Sequence, residues 1–133
     1  MMLILEGYFD LGQSWPFDFQ KETWSHYADG YSGLVNAPTG FGKTFSLFLA
    51  AVIEGIDLAE TKDKKKAKDR LQLIWITPLR SLAKDIARAM REVLAELELD
   101  WYVGVRNGDT SQAEKLQQKK SMPEILLITP ESL

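Results

Sequence analysis

The sequence predicts an α/β fold, a mainly parallel β-sheet flanked by helices. Short apolar, β-branched runs alternate along it with longer segments whose apolar residues recur at three- and four-residue steps. The first strand-to-helix junction is a glycine-rich turn, Ala37-Pro38-Thr39-Gly40-Phe41-Gly42-Lys43-Thr44. With 133 residues and 45% hydrophobic composition, the chain is large enough for one globular domain with a core of its own.

Residues 1–16 are rich in aromatics (Tyr8, Phe9, Trp15) and close on Pro16, which reads as a hydrophobic arm packed on the core. Phe19, Trp24 and Tyr27 stand near helical spacing, so a helix is expected from about Phe17 to Ala28, ended by the Asp29-Gly30 turn. Gly33-Leu34-Val35-Asn36 reads as a short buried strand, and Phe45 to Ile56 as a helix that is apolar nearly all round and therefore buried. Between them lies the glycine-rich turn. Glycines let the backbone wrap closely around an anion, and the amides of residues 40–44 would face a β-phosphate at the positive end of the helix dipole. Lys43 would add a point charge on the β- and γ-phosphates, and Thr44 would place its hydroxyl on Mg²⁺. The pattern is that of a P-loop, with Ala37 where the strict form has glycine. The plain alternative is a glycine-rich turn with a solvated lysine.

Residues 61–70 hold Lys62, Lys64, Lys65, Lys66, Lys68 and Arg70, which read first as a solvated connection and second as a basic loop on nucleic-acid phosphates. Leu71 to Thr77 is a strand stopped by Pro78. Ser81 is the expected cap of a helix whose apolar face is Leu82, Ile86, Ala89, Met90, Val93, Leu94 and Leu97. Trp101 to Val105 is the next strand. Asn107-Gly108 is a good turn, Asp109 or Ser111 a good cap, and Ala113 to Lys120 a polar helix. Ile125 to Thr129 is a last buried strand, expected to lie near an unpaired sheet edge that invites self-association. The repeated strand–turn–helix pattern predicts right-handed crossovers.

Composition excludes several classes of chemistry. Cysteine is absent, so disulfides and thiolate metal sites are out, and His26 is the single histidine. Net charge is −3 and the pI about 5.2, so any contact with nucleic acid must come from local groups. No segment approaches the roughly 20 apolar residues of a membrane span, and a cytoplasmic location with no membrane partner is expected.

Four ordered segments resemble superfamily 2 helicases, specifically the Lhr-like, ligase-associated DEXH-box branch, from about Trp15 to Leu133. Ala37 to Thr44 is similar to motif I, and Thr77-Pro78-Leu79-Arg80-Ser81-Leu82 to motif Ia. Arg106-Asn107-Gly108-Asp109-Thr110-Ser111 resembles an Arg-Thr-Gly-Asp-Thr-Ser segment of that branch, and Thr129-Pro130-Glu131 resembles motif Ib. Gln20, 17 positions before Ala37, stands where a Q motif reads adenine. An amide can donate and accept in one plane, as that edge requires, although a surface glutamine is the bland alternative.

The resemblance implies a P-loop NTPase and a partial RecA-like domain. Residues 1–32 would be an arm with a Q-motif-like helix, and residues 33–133 the first part of the first RecA-like ATP-binding domain. ATP would be held by Gln20, Thr39, Gly40, Phe41, Gly42, Lys43 and Thr44. Lys43 and Thr44 would be catalytic and Thr44 would ligate Mg²⁺. Nucleic acid would be met by Pro78, Arg80, Gly108, Thr129 and Pro130. It implies ATP-driven movement along single-stranded or partly duplex DNA, a role in repair, and a DNA ligase and nuclease as partners. The residues themselves do not separate DNA from RNA.

Phe41 departs from the small residue usual in the family, which bears on how the loop closes. Asn107 replaces the usual threonine. No Asp-Glu pair occurs, so the DEXH motif is absent from this sequence. The expectation is that the 133 residues bind nucleotide but neither hydrolyse it usefully nor unwind. A P-loop small-molecule kinase would need a lid and a catalytic acid that are not visible. A GTPase lacks its Asn-Lys-x-Asp reader. A nucleotide- or nucleic-acid-binding module without motor activity is the non-enzymatic alternative.

Overall fold

The structure, a computed structural model, describes residues 18–36, 41–61 and 71–133. The aromatic arm, Phe17, the first half of the glycine-rich turn (37–40) and the lysine-rich stretch (62–70) lie outside the described residues. The chain forms two compact units, Met1–Lys62 and Asp63–Leu133.

In the first unit, helix α1 (Asp18–Ala28) packs on helix α2 (Phe41–Thr61). The aromatic spacing seen in the sequence has a physical result here. Trp24 is fully buried and its indole N–H donates to the Ser46 carbonyl at 2.6 Å, so a large apolar side chain also satisfies its one donor. Phe48 to Ile53 are all buried, which agrees with a helix apolar nearly all round. Gly30, with φ of +79°, ends α1 as the Asp29-Gly30 turn predicts.

The expected strand at 33–36 is not formed: residues 31–36 are irregular and Leu34 is 91% exposed. An apolar run is only a strand when neighbours complete its backbone hydrogen bonds, and no other described residue pairs with this segment.

In the second unit three strands, β1 (Leu73–Ile76), β2 (Val103–Arg106) and β3 (Ile125–Ile128), form a parallel sheet in the order β1-β3-β2. Leu73 and Val103 both lie beside Ile125, and the register continues to Ile76 and Arg106 beside Ile128. The last strand in sequence is therefore the central one, which corrects the edge position expected for Ile125 to Thr129. Sequence order does not fix spatial order in a parallel sheet. The burial explains the placement: all four residues of β3 are buried, as suits a parallel strand covered on both faces, whereas β1 alternates with Ile74 and Ile76 about half exposed.

Helix α3 (Arg80–Glu96) packs on β2 and β3. Its buried face is Ala83, Ile86, Ala87, Met90, Val93 and Leu94. Leu82, expected in that face, is 42% exposed, because the small Ala83 and Ala87 turn toward the interior instead. The helix starts at Arg80, with Leu79 in the cap position and no side-chain cap, so Ser81 does not cap it. Its end is a Schellman turn, with Leu99 N–H on the Leu94 carbonyl and Glu98 N–H on Ala95. Glu98 takes the left-handed conformation, φ 54°, where glycine is usual. Helix α4 (Gln112–Lys120) is polar as expected and buries only Gln118.

Tyr27 gives the first unit a pH-sensitive tie. Its hydroxyl donates to Glu54 Oε2 at 2.7 Å, and its pKa is pushed up to about 12, first by burial and then by the hydrogen bond and charge of Glu54. A raised folded-state pKa means the stabilisation is complete below the ordinary value of 10 and is lost as pH rises through about 12. Titration of phenolate absorbance should show a tyrosine ionising near pH 12 in the folded chain that vanishes in Tyr27→Phe.

Candidate functional site

In the first unit the helix begins inside the glycine-rich turn, so Phe41, Gly42, Lys43 and Thr44 form the first turn of α2. The unpaired amides of a helix start are thereby placed on the residues of the Gly-Lys-Thr triplet. Thr44 is half-buried. Gln20 is 2% exposed, so the alternative of a surface glutamine does not hold. Thr39 and Gly40 lie outside the described residues, as do the side chains of Phe41 and Lys43.

Among the described residues no group of three or more His, Asp or Glu could hold a metal ion. A divalent ion here would need phosphate oxygens beside the Thr44 hydroxyl, and Mg²⁺ suits such a site because it takes few protein ligands and keeps its waters.

In the second unit the parallel register brings the carboxyl ends of β1, β3 and β2 to one edge. The segments that follow them are Thr77 to Arg80, Thr129 to Leu133 and Asn107 to Ser111. Open α/β sheets bind their ligands at that end. Arg80 joins the three segments. Its Nη1 donates to Asp109 Oδ1 at 2.9 Å, its Nε lies 3.6 Å from Glu131 Oε1, and its guanidinium covers Gly108. A side chain at position 108 would meet the Arg80 guanidinium, the far end of a half-exposed side chain that would have to shift aside.

Of the residues predicted to meet nucleic acid, Pro78, Arg80, Gly108 and Pro130 are exposed at this edge. Thr129 is fully buried, as is Thr77 at 2%. The Thr77 hydroxyl has no hydrogen-bond partner among the described residues. The Thr129 hydroxyl makes no hydrogen bond of full geometry, yet it lies close enough to Glu131 to act on its charge. Glu131 is held below the ordinary carboxyl range first by its own backbone N–H, then by the Thr129 hydroxyl, with Arg80 adding to both.

Sequence reasoning offered Asp109 or Ser111 as the helix cap and did not pair Asp109 with Arg80. The residues are 29 positions apart, and only the strand order shows that their loops are neighbours. The cap is Ser111. Its side chain and Glu114 form a reciprocal capping box, which lowers the Glu114 carboxyl, first through the Ser111 hydroxyl and then through its backbone N–H.

Asn107 is 3% exposed, and its Oδ1 accepts from the Asp109 N–H at 2.9 Å. Its own N–H donates to Thr110 Oγ1 at 2.9 Å, and that hydroxyl lies 3.2 Å from the Val105 carbonyl. These bonds fix the turn that presents Asp109 to Arg80. Gln118, which no sequence signal singled out, supports the strand end by donating to the Val105 carbonyl at 3.1 Å and accepting from Arg106 Nε at 3.0 Å.

The second unit is thus a parallel α/β unit whose strand-end loops gather at one edge, on a chain that also carries a Gly-Lys-Thr helix start. The family model for DEAD/DEAH box helicases matches residues 17–133. The chain belongs to the DEAD/DEAH box helicase family. It is 40% identical over 115 residues to the ATP-dependent helicase Lhr-Core of Methanocaldococcus jannaschii, which covers 79% of this chain and 13% of that protein. It is 33% identical to the Lhr helicase/uracil glycosylase of Escherichia coli, covering 89% of this chain and 8% of that one. Among solved structures it resembles Mycobacterium smegmatis helicase Lhr bound to ssDNA and AMP-PNP, at 31% identity and a TM-score of 0.70, over 95% of this chain and 16% of that one. The DUF1998 helicase MrfA bound to DNA and AMPPNP shares the fold, with a TM-score of 0.72 at 23% identity, over 92% of this chain and 16% of that one. The chain thus spans about an eighth or less of the curated relatives named here. Among the described residues no helix is long and apolar enough to cross a membrane.

The Asx turn at Asn107 is open to test. Asn107→Ala leaves the Asp109 amide without its acceptor and should cost about 1–3 kcal/mol. Amide exchange at Asp109 and Thr110 should accelerate accordingly, while exchange in α3 is unchanged.

Proposed function

We propose that this chain is the N-terminal ATP- and nucleic-acid-binding part of an ATP-dependent helicase that moves along single-stranded DNA. The observation that carries the proposal is the convergence of three helicase-like segments, each following a parallel strand, at one edge of the second unit. The likeness to a helicase bound to ssDNA and AMP-PNP supports it.

In this reading the first turn of α2 receives the phosphates on its amides. Lys43 neutralises the β- and γ-phosphates, and Thr44 supplies one oxygen to Mg²⁺. Gln20 reads adenine from α1, and Thr39, Gly40, Phe41 and Gly42 complete the cradle. The Mg²⁺ ion would offset phosphate charge. Pro78, Arg80, Gly108, Thr129 and Pro130 mark the edge that meets the single strand. With no Asp-Glu pair to orient the attacking water, the 133 residues bind ATP without useful turnover. A place in DNA repair beside a ligase and a nuclease rests on the family resemblance alone.

Titration calorimetry with Mg·ATP and Mg·GTP tests the nucleotide half. Saturable ATP binding should disappear in Lys43→Ala, and the preference for ATP over GTP should shrink in Gln20→Ala. Equal binding of the two nucleotides by the unaltered chain would remove the adenine role of Gln20. Robust, Lys43-dependent hydrolysis would contradict the expected lack of turnover.

A further inference from the structure

Helix α1 buries a single apolar side chain. Of its 11 residues only Gln20 and Trp24 are buried, at 2% and 0% exposure. They stand four positions apart in sequence and so share one face of the helix. The indole N–H of Trp24 donates to the Ser46 carbonyl at 2.6 Å, across a buried contact. Ser46 is itself fully buried and stands two residues after Thr44, close to the start of α2. Further along, the Tyr27 hydroxyl donates to Glu54 Oε2. The order of these two bonds shows that α1 and α2 run in the same sense along their contact. Gln20, one turn before Trp24 on its face, therefore lies toward the Gly-Lys-Thr end of α2.

We propose that Trp24 is a positioning residue of the nucleotide site: its indole bond to Ser46 fixes α1 against the start of α2, and so sets where the Gln20 amide stands relative to the phosphate-binding turn. This rests on the reading that Gln20 meets adenine. An amide that reads a base edge must hold its donor and its acceptor in line, and hydrogen bonds weaken steeply when misaligned. Ring burial alone does not fix a helix in that way, because the hydrophobic effect is non-directional. The indole bond supplies the direction. It also explains why tryptophan and not phenylalanine stands here. A helix carbonyl accepts from the amide four residues on, and its second lone pair takes the indole. Trp24→Phe therefore keeps an aromatic ring in the core, leaves no carbonyl without a donor, and removes the directional tie.

The test is calorimetric titration of the full chain with Mg·ATP, Mg·GTP and Mg·tripolyphosphate. The proteins compared are the unaltered chain, Trp24→Phe, Tyr27→Phe, Gln20→Ala and the double variant Trp24→Phe with Gln20→Ala. Tripolyphosphate reads the phosphate cradle without a base. The proposal predicts that Trp24→Phe lowers the ratio of ATP to GTP affinity about fivefold, the scale of one neutral hydrogen bond, with tripolyphosphate bound as before. Tyr27→Phe breaks the other tie, at Glu54, far from the start of α2, and should leave the ratio unchanged. In the Gln20→Ala background Trp24→Phe should lower the ratio no further, since the two side chains act as one. An unchanged ratio in Trp24→Phe, an equal drop in Tyr27→Phe, a full additional drop in the Gln20→Ala background, or weakened tripolyphosphate binding in Trp24→Phe would each overturn the proposal.

If the unaltered chain shows no preference for ATP, the adenine reading of Gln20 fails, and amide exchange without nucleotide still decides on the tie. Exchange of the α1 amides from Glu22 to Ala28 should speed up about fivefold in Trp24→Phe. The amides of α2 from Phe48 to Ile53, which belong to buried residues, should exchange as before. Unchanged exchange in α1, or equal acceleration in both helices, would overturn the tie independently of any nucleotide.

Discussion

The parallel pairing of β1 and β2 on either side of β3 is the constraint on which the second unit depends. Parallel strands run their carboxyl ends to the same edge, so whatever follows each strand is delivered to one place. The central strand is apolar on both faces and fully buried, which fixes it between its neighbours. Three loops far apart in sequence become one surface for that reason alone. Each then needs only local devices to hold its shape: the Asx turn of Asn107, the capping box of Ser111 and Glu114, and the short 3-10 turn after Thr129.

Charge is handled locally throughout. A chain with net charge −3 has no general attraction for phosphate. Its edge places one arginine between two carboxylates, and exposed ion pairs of that kind contribute little to stability by themselves. The arrangement brings side chains of three loops together: Arg80 lies beside Asp109 of one loop and Glu131 of another. The same economy appears in the first unit, where Trp24 and Tyr27 of α1 each spend a polar group on α2 while burying ring surface against it.

Much of this was legible in the sequence, and the failures have physical causes. Helical spacing located α1, α2 and α3, and β-branched runs flanked by turn residues located β1, β2 and β3, because periodicity is a local property of the chain. The buried face of α3 was misjudged at Leu82 because Ala83 and Ala87 carry too little hydrophobic weight to be noticed, yet their small size lets the helix approach the sheet. The central place of β3 was not legible, since sequence order is silent about spatial order. For the same reason Arg80, Asp109 and Glu131 could each be singled out in a motif without being seen as one cluster. The expected strand at 33–36 shows the opposite failure. Its composition is right, but a strand is a relation between segments, and Leu34 stands exposed without one.

The most direct test of the edge is hydrogen–deuterium exchange of the chain with and without a short oligo(dT). The account predicts that residues 77–81, 107–111 and 129–133 become protected together, since they form one surface, while the exposed residues of α4 exchange as before. Protection confined to α4 or to the first unit, with the three strand-end loops unchanged, would contradict it.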